Sequence, residues 1–308
     1  MKKIFLILIL LVFSTTPAQN VFKSQKQIYL AEYYAHQKDG KNALKHYLEA
    51  IKINPKVPIS DSYLEAASIA FRLNKNKVAK DLLKQSITKQ LAPFEFLRDF
   101  KSLQPFKDSK EMKEVLSDYY SLENQYYREL KNPAAYMEIQ KLIAKDQLIR
   151  QENKVFGELA KKIDSANILR LIDLTEKYGW EDRAWLLLWH QRGYSIENEF
   201  VWNFFKPFIK KEIEKDNVNK DFFVDFDEFE NSIKNLDNHF DNDAIYTLNS
   251  IGNVNGSIHY TDIQNLDKRR KSVGLPPLYF EYFLSGVELL PKDYHYNPKN
   301  LLSDLENL

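Results

Sequence analysis

The chain has 308 residues and a net charge of +1, with 28% charged residues, 8 glycines and 11 prolines. A balance so close to neutral lacks the basic footprint of a general nucleic-acid binder, and so little glycine and proline disfavours a fold of many short strands. Twenty Phe, 18 Tyr and 4 Trp supply ample material for a core, so this is a folded chain rather than a disordered one.

Residues 1–18 have the pattern of an export signal. Lys2 and Lys3 form the positive end, Ile4 to Phe13 is an unbroken apolar run, and Ser14 to Ala18 is small and polar. Ten apolar residues are too few for a membrane-spanning helix, which must cross a hydrocarbon core of ~30 Å. Thr16 and Ala18 suit a signal peptidase, so cleavage is expected after Ala18, with loss of both lysines taking the net charge from +1 to −1. The absence of cysteine rules out a lipoprotein anchor, a disulfide or a thiolate site. The mature protein is therefore expected to be exported, periplasmic or extracellular and soluble, with no membrane insertion once the signal is removed.

Ser24 to Val57 reads as two helices joined at Lys38-Asp39-Gly40 and closed by Pro55. Leu30, Ala31 and Tyr34 share one face of the first helix; Ala43, Tyr47 and Ala50 share one face of the second. Alanines at these places let two helices approach closely, and the tyrosines fill what remains. Ser60 to Leu91 repeats the pattern in degraded form, with Tyr63, Ala66, Ala67 and Ala70, then Ala79 and Leu83. The spacing resembles the tetratricopeptide repeat, a helix–turn–helix unit of about 34 residues. That resemblance implies a stacking or binding unit, and Tyr34, Tyr47 and Tyr63 are its expected binding residues. Residues 94–130 are expected to add two further helices, broken near Pro105, as a cap on the open end of the stack.

Asn132-Pro133 marks a boundary, since Asn caps a helix start and Pro suits its first position. A long helix is expected from Pro133 to about Lys162 and a second from near Asp164 to Tyr178, stopped by Gly179. Residues 184–192 are apolar nearly all round and fit a buried helix or strand. Asn198 to Asp216 is expected to be helical with a kink or break at Pro207, and Asp225 to Phe240 to be an amphipathic helix. Residues 245–263 alternate around a glycine-rich turn ending in Asn255-Gly256 and predict one β-hairpin. Asp262 is placed to cap a helix closed by Gly274, residues 275–284 to form a buried clasp, and the chain after Tyr296 to be loosely held. The expected architecture is mainly α: a repeat stack and cap over 20–131, a helical domain with one hairpin over 132–298, and a tail over 299–308.

Helical projection sets Asp146, Arg150 and Asn153 within the apolar stripe of the long helix, and Asp164 and Asn167 beside Leu171 on the next. Arg270 falls among Ile263, Leu266 and Val273, and His190 ends the most apolar segment. Charges on apolar faces need partners. One reading is a polar site with His190 as acid or base, Asp146 orienting it or binding a cation, Arg150 and Arg270 holding an anion, and Asn167 alongside. The other is that these groups satisfy one another and fix how the helices meet, as most buried histidines do. Asp237, His239, Asp241 and Asp243 lack the glycine and closing glutamate of a calcium loop and fit a solvated loop. HExxH, a phosphate-binding glycine loop and GxSxG are all absent. The basic run at 268–271 is divided between helix faces.

From about Asn132 to Pro298 the chain resembles an uncharacterised bacterial family, a domain of unknown function that is often exported. Asp146-Gln147 with Arg150, Asp164, Asn167, residues 177–180 (KYGW), His190 and residues 269–278 (RRKSVGLPPL) carry the resemblance. The chain departs from it at Glu181, where the family has Pro, and at Tyr246-Thr247, where it has Tyr-Gly. The resemblance implies a domain and a set of notable residues but no reaction. The expected function is a non-enzymatic protein or peptide interaction through the repeat stack, without metal, cofactor or nucleic acid. The alternative is a hydrolase-type enzyme with its site around His190.

Overall fold

The structure is a computed structural model that describes residues 20–56, 61–151, 157–192, 199–234, 245–246, 260–286, 290–291 and 293–308. The signal-like segment, Asn153, the acidic run from Asp237 to Asp243 and residues 247–259 of the expected hairpin lie outside these. Among the described residues the fold is mainly α and contains no strand. Of the hairpin's ends, Ile245 and Tyr246 form a bend and Tyr260 an isolated bridge.

Four helices open the chain: α1 (Val21–His36), α2 (Gly40–Ile53), α3 (Ser62–Arg72) and α4 (Asn76–Gln90). Each packs on the next. Asp39 stops the first hairpin from fraying by accepting a hydrogen bond from the Asn42 amide at the start of α2. Ala31, Ala43 and Ala50 are fully buried, as close helix approach requires, and Ser24 Oγ donates to the Ala50 carbonyl at 3.0 Å across the gap. Tyr47 and Tyr63, expected to line a groove, instead sit inside this core at 4% and 0% exposure. The Tyr63 hydroxyl donates to the Pro55 carbonyl at 2.8 Å, so this ring ties the two hairpins together.

The cap is more finely divided than two helices. It comprises α5 (Phe94–Asp99), a 3-10 turn at Lys101–Phe106 containing Pro105, α6 (Lys110–Ser117) and α7 (Tyr119–Arg128). Leu97, Leu103, Met112, Val115 and Tyr119 bury themselves against α3 and α4 and extend the same core.

Beyond Asn132 come α8 (Pro133–Gln151) and α9 (Gly157–Tyr178). The first ends earlier and the second begins earlier than expected; Gly179 stops α9 with φ +88. The apolar 184–192 segment resolves as helix, α10 (Trp185–Trp189), followed by α11 (Glu199–Glu214) and α12 (Val224–Lys234). These elements share a second core built on Ile139, Leu171, Leu187 and Phe205, walled by Trp180, Trp185, Trp189 and Trp202.

The C-terminal segment returns to the first helix. After α13 (Leu266–Ser272), whose start is not capped by the Asp262 side chain, α14 (Leu278–Ser285) packs on α1 as the expected clasp. The tail is not loose. Residues Leu301–Glu306 form α15, and Leu301 and Leu305 are buried beside Tyr29, Leu30 and Phe280 of α1 and α14. The start of α1 is pinned as well: Phe22 donates its amide to Asp216 Oδ1 at 2.7 Å, and Lys220 Nζ lies 4.0 Å from the Phe22 ring centroid. A Cβ on Gly274 would come within 2.7 Å of that ring, so glycine is required where the segments meet.

Candidate functional site

The polar residues singled out by projection converge in part. Asp146 and Arg150 are one turn apart on α8, and Arg150 reaches across to α9. It donates to Asp146 Oδ1 at 2.7 Å and, through its other terminal nitrogen, to both oxygens of Asp164 at 3.0 and 2.9 Å. His190, where α10 ends, brings Nδ1 to 2.8 Å from Asp146 Oδ1. Gln147 donates to the other Asp146 oxygen at 2.8 Å. With Asp146 as an acceptor-only carboxylate, His190 Nδ1 is the donor in this contact. Nε2 is then the other ring position at which the imidazole can exchange a proton. Burial pushes the Asp164 carboxyl above its ordinary value, outweighing the opposing pull of Arg150. Asn167 sits beside the group and donates to the Leu142 carbonyl at 3.2 Å, joining α9 to α8.

Arg270 belongs elsewhere. Fully buried, it donates to the Pro276 carbonyl at 2.7 Å, to the Tyr246 carbonyl and to Glu281. It is the organising ion of the α13–α14 corner, not a partner of His190. Of the three tyrosines, only Tyr34 keeps partial exposure, its ring stacked on His46 at 5.3 Å.

Two cavities bordered by described residues lie away from His190. One, of about 550 Å³, opens where the stack meets the C-terminal half. Gln25 and Tyr29 of α1 line it together with Asp182, Trp185, Asp221 and Asp225; Asn54, Lys56, Phe222 and Leu275 also border it. A neighbour of about 530 Å³ shares Lys56 and is walled by Tyr126, Tyr136 and Trp180. Behind that wall Arg183 donates to both tyrosine hydroxyls at 2.9 and 2.8 Å. None of His190, Asp146, Arg150, Asp164, Asn167 or Arg270 lines either cavity.

The larger cavity is electrostatically unbalanced. Asp182 accepts from Trp180 Nε1 at 2.9 Å and feels the opposing pull of Lys56, the one lysine on the lining, while three carboxylates border the cavity among the described residues. Desolvation raises all three carboxyls, although Asp182 and Asp225 remain exposed as residues. Asp221 is pushed up to about 6, by burial first and by neighbouring Asp225 second. Burial and Glu181 raise Asp182, and burial raises Asp225. Among the described residues no three of His, Asp or Glu gather to hold a metal ion. Projection missed this site because it tests one helix at a time, whereas Gln25 and Asp221 meet only through the folded chain. The available signal was Asp221 and Asp225 one turn apart, a like-charged spacing that opposes helix formation.

No helix among the described residues is long and apolar enough to cross a membrane. The resemblances to a repeat unit and to a bacterial domain of unknown function rest on the residues quoted for them, since comparison with known proteins finds no matching family model, no similar curated sequence and no similar solved structure.

Proposed function

We propose that this is an exported, non-catalytic binding protein, and that its ligand or partner segment enters the cavity between the helical stack and the C-terminal half. One observation carries the reading: a cavity of about 550 Å³ is bordered by three carboxylates and a single lysine among the described residues, while the polar residues around His190 are already partnered by one another. The volume falls within the range of about 300–1,000 Å³ usual for ligand sites, large enough for a small molecule or the side chains of a short peptide. The pattern of residues 1–18 supports export, and the repeat-like hairpins α1–α4 support a scaffold for interaction.

The test is selection of peptides and small molecules on the mature protein, followed by challenge with the cavity-filling variant Leu275→Trp. Ligands should be lost in that variant. Selection that yields no ligand, or ligands held equally well by Leu275→Trp, overturns the reading. A hydrolase is the second reading, and the Asp146–His190 contact of 2.8 Å is what favours it. Hydrolysis of simple ester, peptide or phosphomonoester substrates, abolished by His190→Ala and Asp146→Asn in folded protein, would establish it instead.

A further inference from the structure

We propose that the cavity between the stack and the C-terminal half takes an organic cation, an amine or guanidinium on an apolar stem, either free or as a lysine or arginine side chain. This rests on the binding reading above and names its ligand class. Asp182, Asp221 and Asp225 line the cavity against a single lining cation among the described residues, Lys56, leaving a formal excess of negative charge in a half-open cleft where Asp221 is half-buried and Asp182 and Asp225 are exposed. Such charge is unfavourable until a counter-ion enters, and low-dielectric walls strengthen the attraction when one does.

The rest of the lining selects among cations. Tyr29, Trp185 and Phe222 offer aromatic surface to the stem and to the charged head. Gln25, only 4% exposed and bonded to Tyr29, and Asn54, 6% exposed with its amide bonded to the Lys56 backbone, hold the aromatic and cationic parts of the lining in place. A lone metal ion fits poorly, because the carboxylates are not gathered into a ligand set and the space is far larger than one ion. An anion or a neutral apolar ligand would leave the carboxylates uncompensated.

Calorimetric titration of the mature full chain tests this with spermidine and with acetyl-Gly-X-Gly-amide peptides, where X is Lys, Arg, norleucine or Glu. Spermidine, or the Lys or Arg peptide, should bind at least tenfold tighter than the norleucine peptide, and the Glu peptide should not bind. A preference for spermidine identifies a free amine, and one for the peptides a protein side chain. Asp182→Asn and Asp221→Asn should each weaken binding about tenfold, and Asp225→Arg, at an exposed position, should abolish it while the thermal midpoint shows the variant folded. If the norleucine or Glu peptide binds as well as Lys and is lost in Leu275→Trp, the cavity is a binding site but the cation assignment is wrong. If no probe binds and library selection also yields nothing, both readings fall.

Discussion

Replacing Asp221 with Asn should stabilise the protein at neutral pH and leave it unchanged in acid. The Asp221 carboxyl is raised from 3.8 to about 6, by burial first and Asp225 second. The folded state therefore holds this proton more tightly than the unfolded chain. The side chain's favourable contribution is complete below about pH 4 and is lost as pH rises through about 6, above which folding has to carry an enclosed charge. A gap of about two pKa units corresponds to about 3 kcal/mol at 1.36 kcal/mol per unit. Asn keeps the shape and cannot ionise, so Asp221→Asn should gain about 2–3 kcal/mol at pH 7.5 and nothing at pH 4. For a chain of this size that is roughly 5–10 °C in thermal midpoint. Urea unfolding of both proteins at the two pH values measures the difference directly. A gain of equal size at both pH values, or a loss at pH 7.5, would refute the claim that Asp221 is retained at a cost to stability. Such a cost is typical of functional groups.

Asp146→Ala should lose about 3 kcal/mol in urea unfolding, because Arg150 and His190 both point at a carboxylate with 1% exposure; His190→Ala should lose about 1 kcal/mol, since Asp146 keeps Arg150 and Gln147. Losses below about 1 kcal/mol for Asp146→Ala would mean the group is not a buried knot. Leu305→Ala, at a fully buried position of α15, should cost about 3 kcal/mol, an outcome a loose tail would not produce. Gly274→Ala should cost about 2 kcal/mol or more by thermal melt, since it combines φ +78 with a Cβ 2.7 Å from Phe22, and Phe22→Ala in the same chain should recover part of the loss.

Much of the fold can be read locally because its signals are local. Asp39-Gly40, Pro55, Asn132-Pro133 and Gly179 are punctuation with a backbone mechanism, and each stands at or beside a helix end. The start of α9 is marked only by a lone glycine, Gly157, and projection continues one helix through it because helix formers surround it. The convergence of His190 with Asp146 and Arg150 was legible because charges on an apolar face must be partnered. Periodicity cannot say by whom, so Arg270 seemed to share their environment while its partners are Glu281 and the Pro276 carbonyl. Tyr47 and Tyr63 show the reverse limit, since the spacing that suits an aromatic wall in a groove equally suits one in the core. The cavity and α15 depend on contacts such as Phe22 with Asp216, 194 residues apart, and no window along the chain contains them.

The placement of α1 makes binding and folding one problem. Its inner face is spent on α2, its outer face on α14 and α15, and its first turn on Asp216 and Lys220. Gln25 and Tyr29 on this helix line the same cavity as Asp221 and Asp225 of the distant half. A cation held between them would touch both sides of the junction at once, neutralising the charge that Asp221 and Asp225 set against each other and tying α1 to the segment that follows α11. Unfolding separates those walls and destroys the site, so the ligand should stabilise by mass action, by about 2.7 kcal/mol at one hundred times its dissociation constant. The same ligand should protect α1 amides from hydrogen exchange more than those of α6 and α7, none of whose residues lines this cavity. Equal protection of all these helices would mean that the ligand does not bridge the junction, and α1 would then be merely a packed helix.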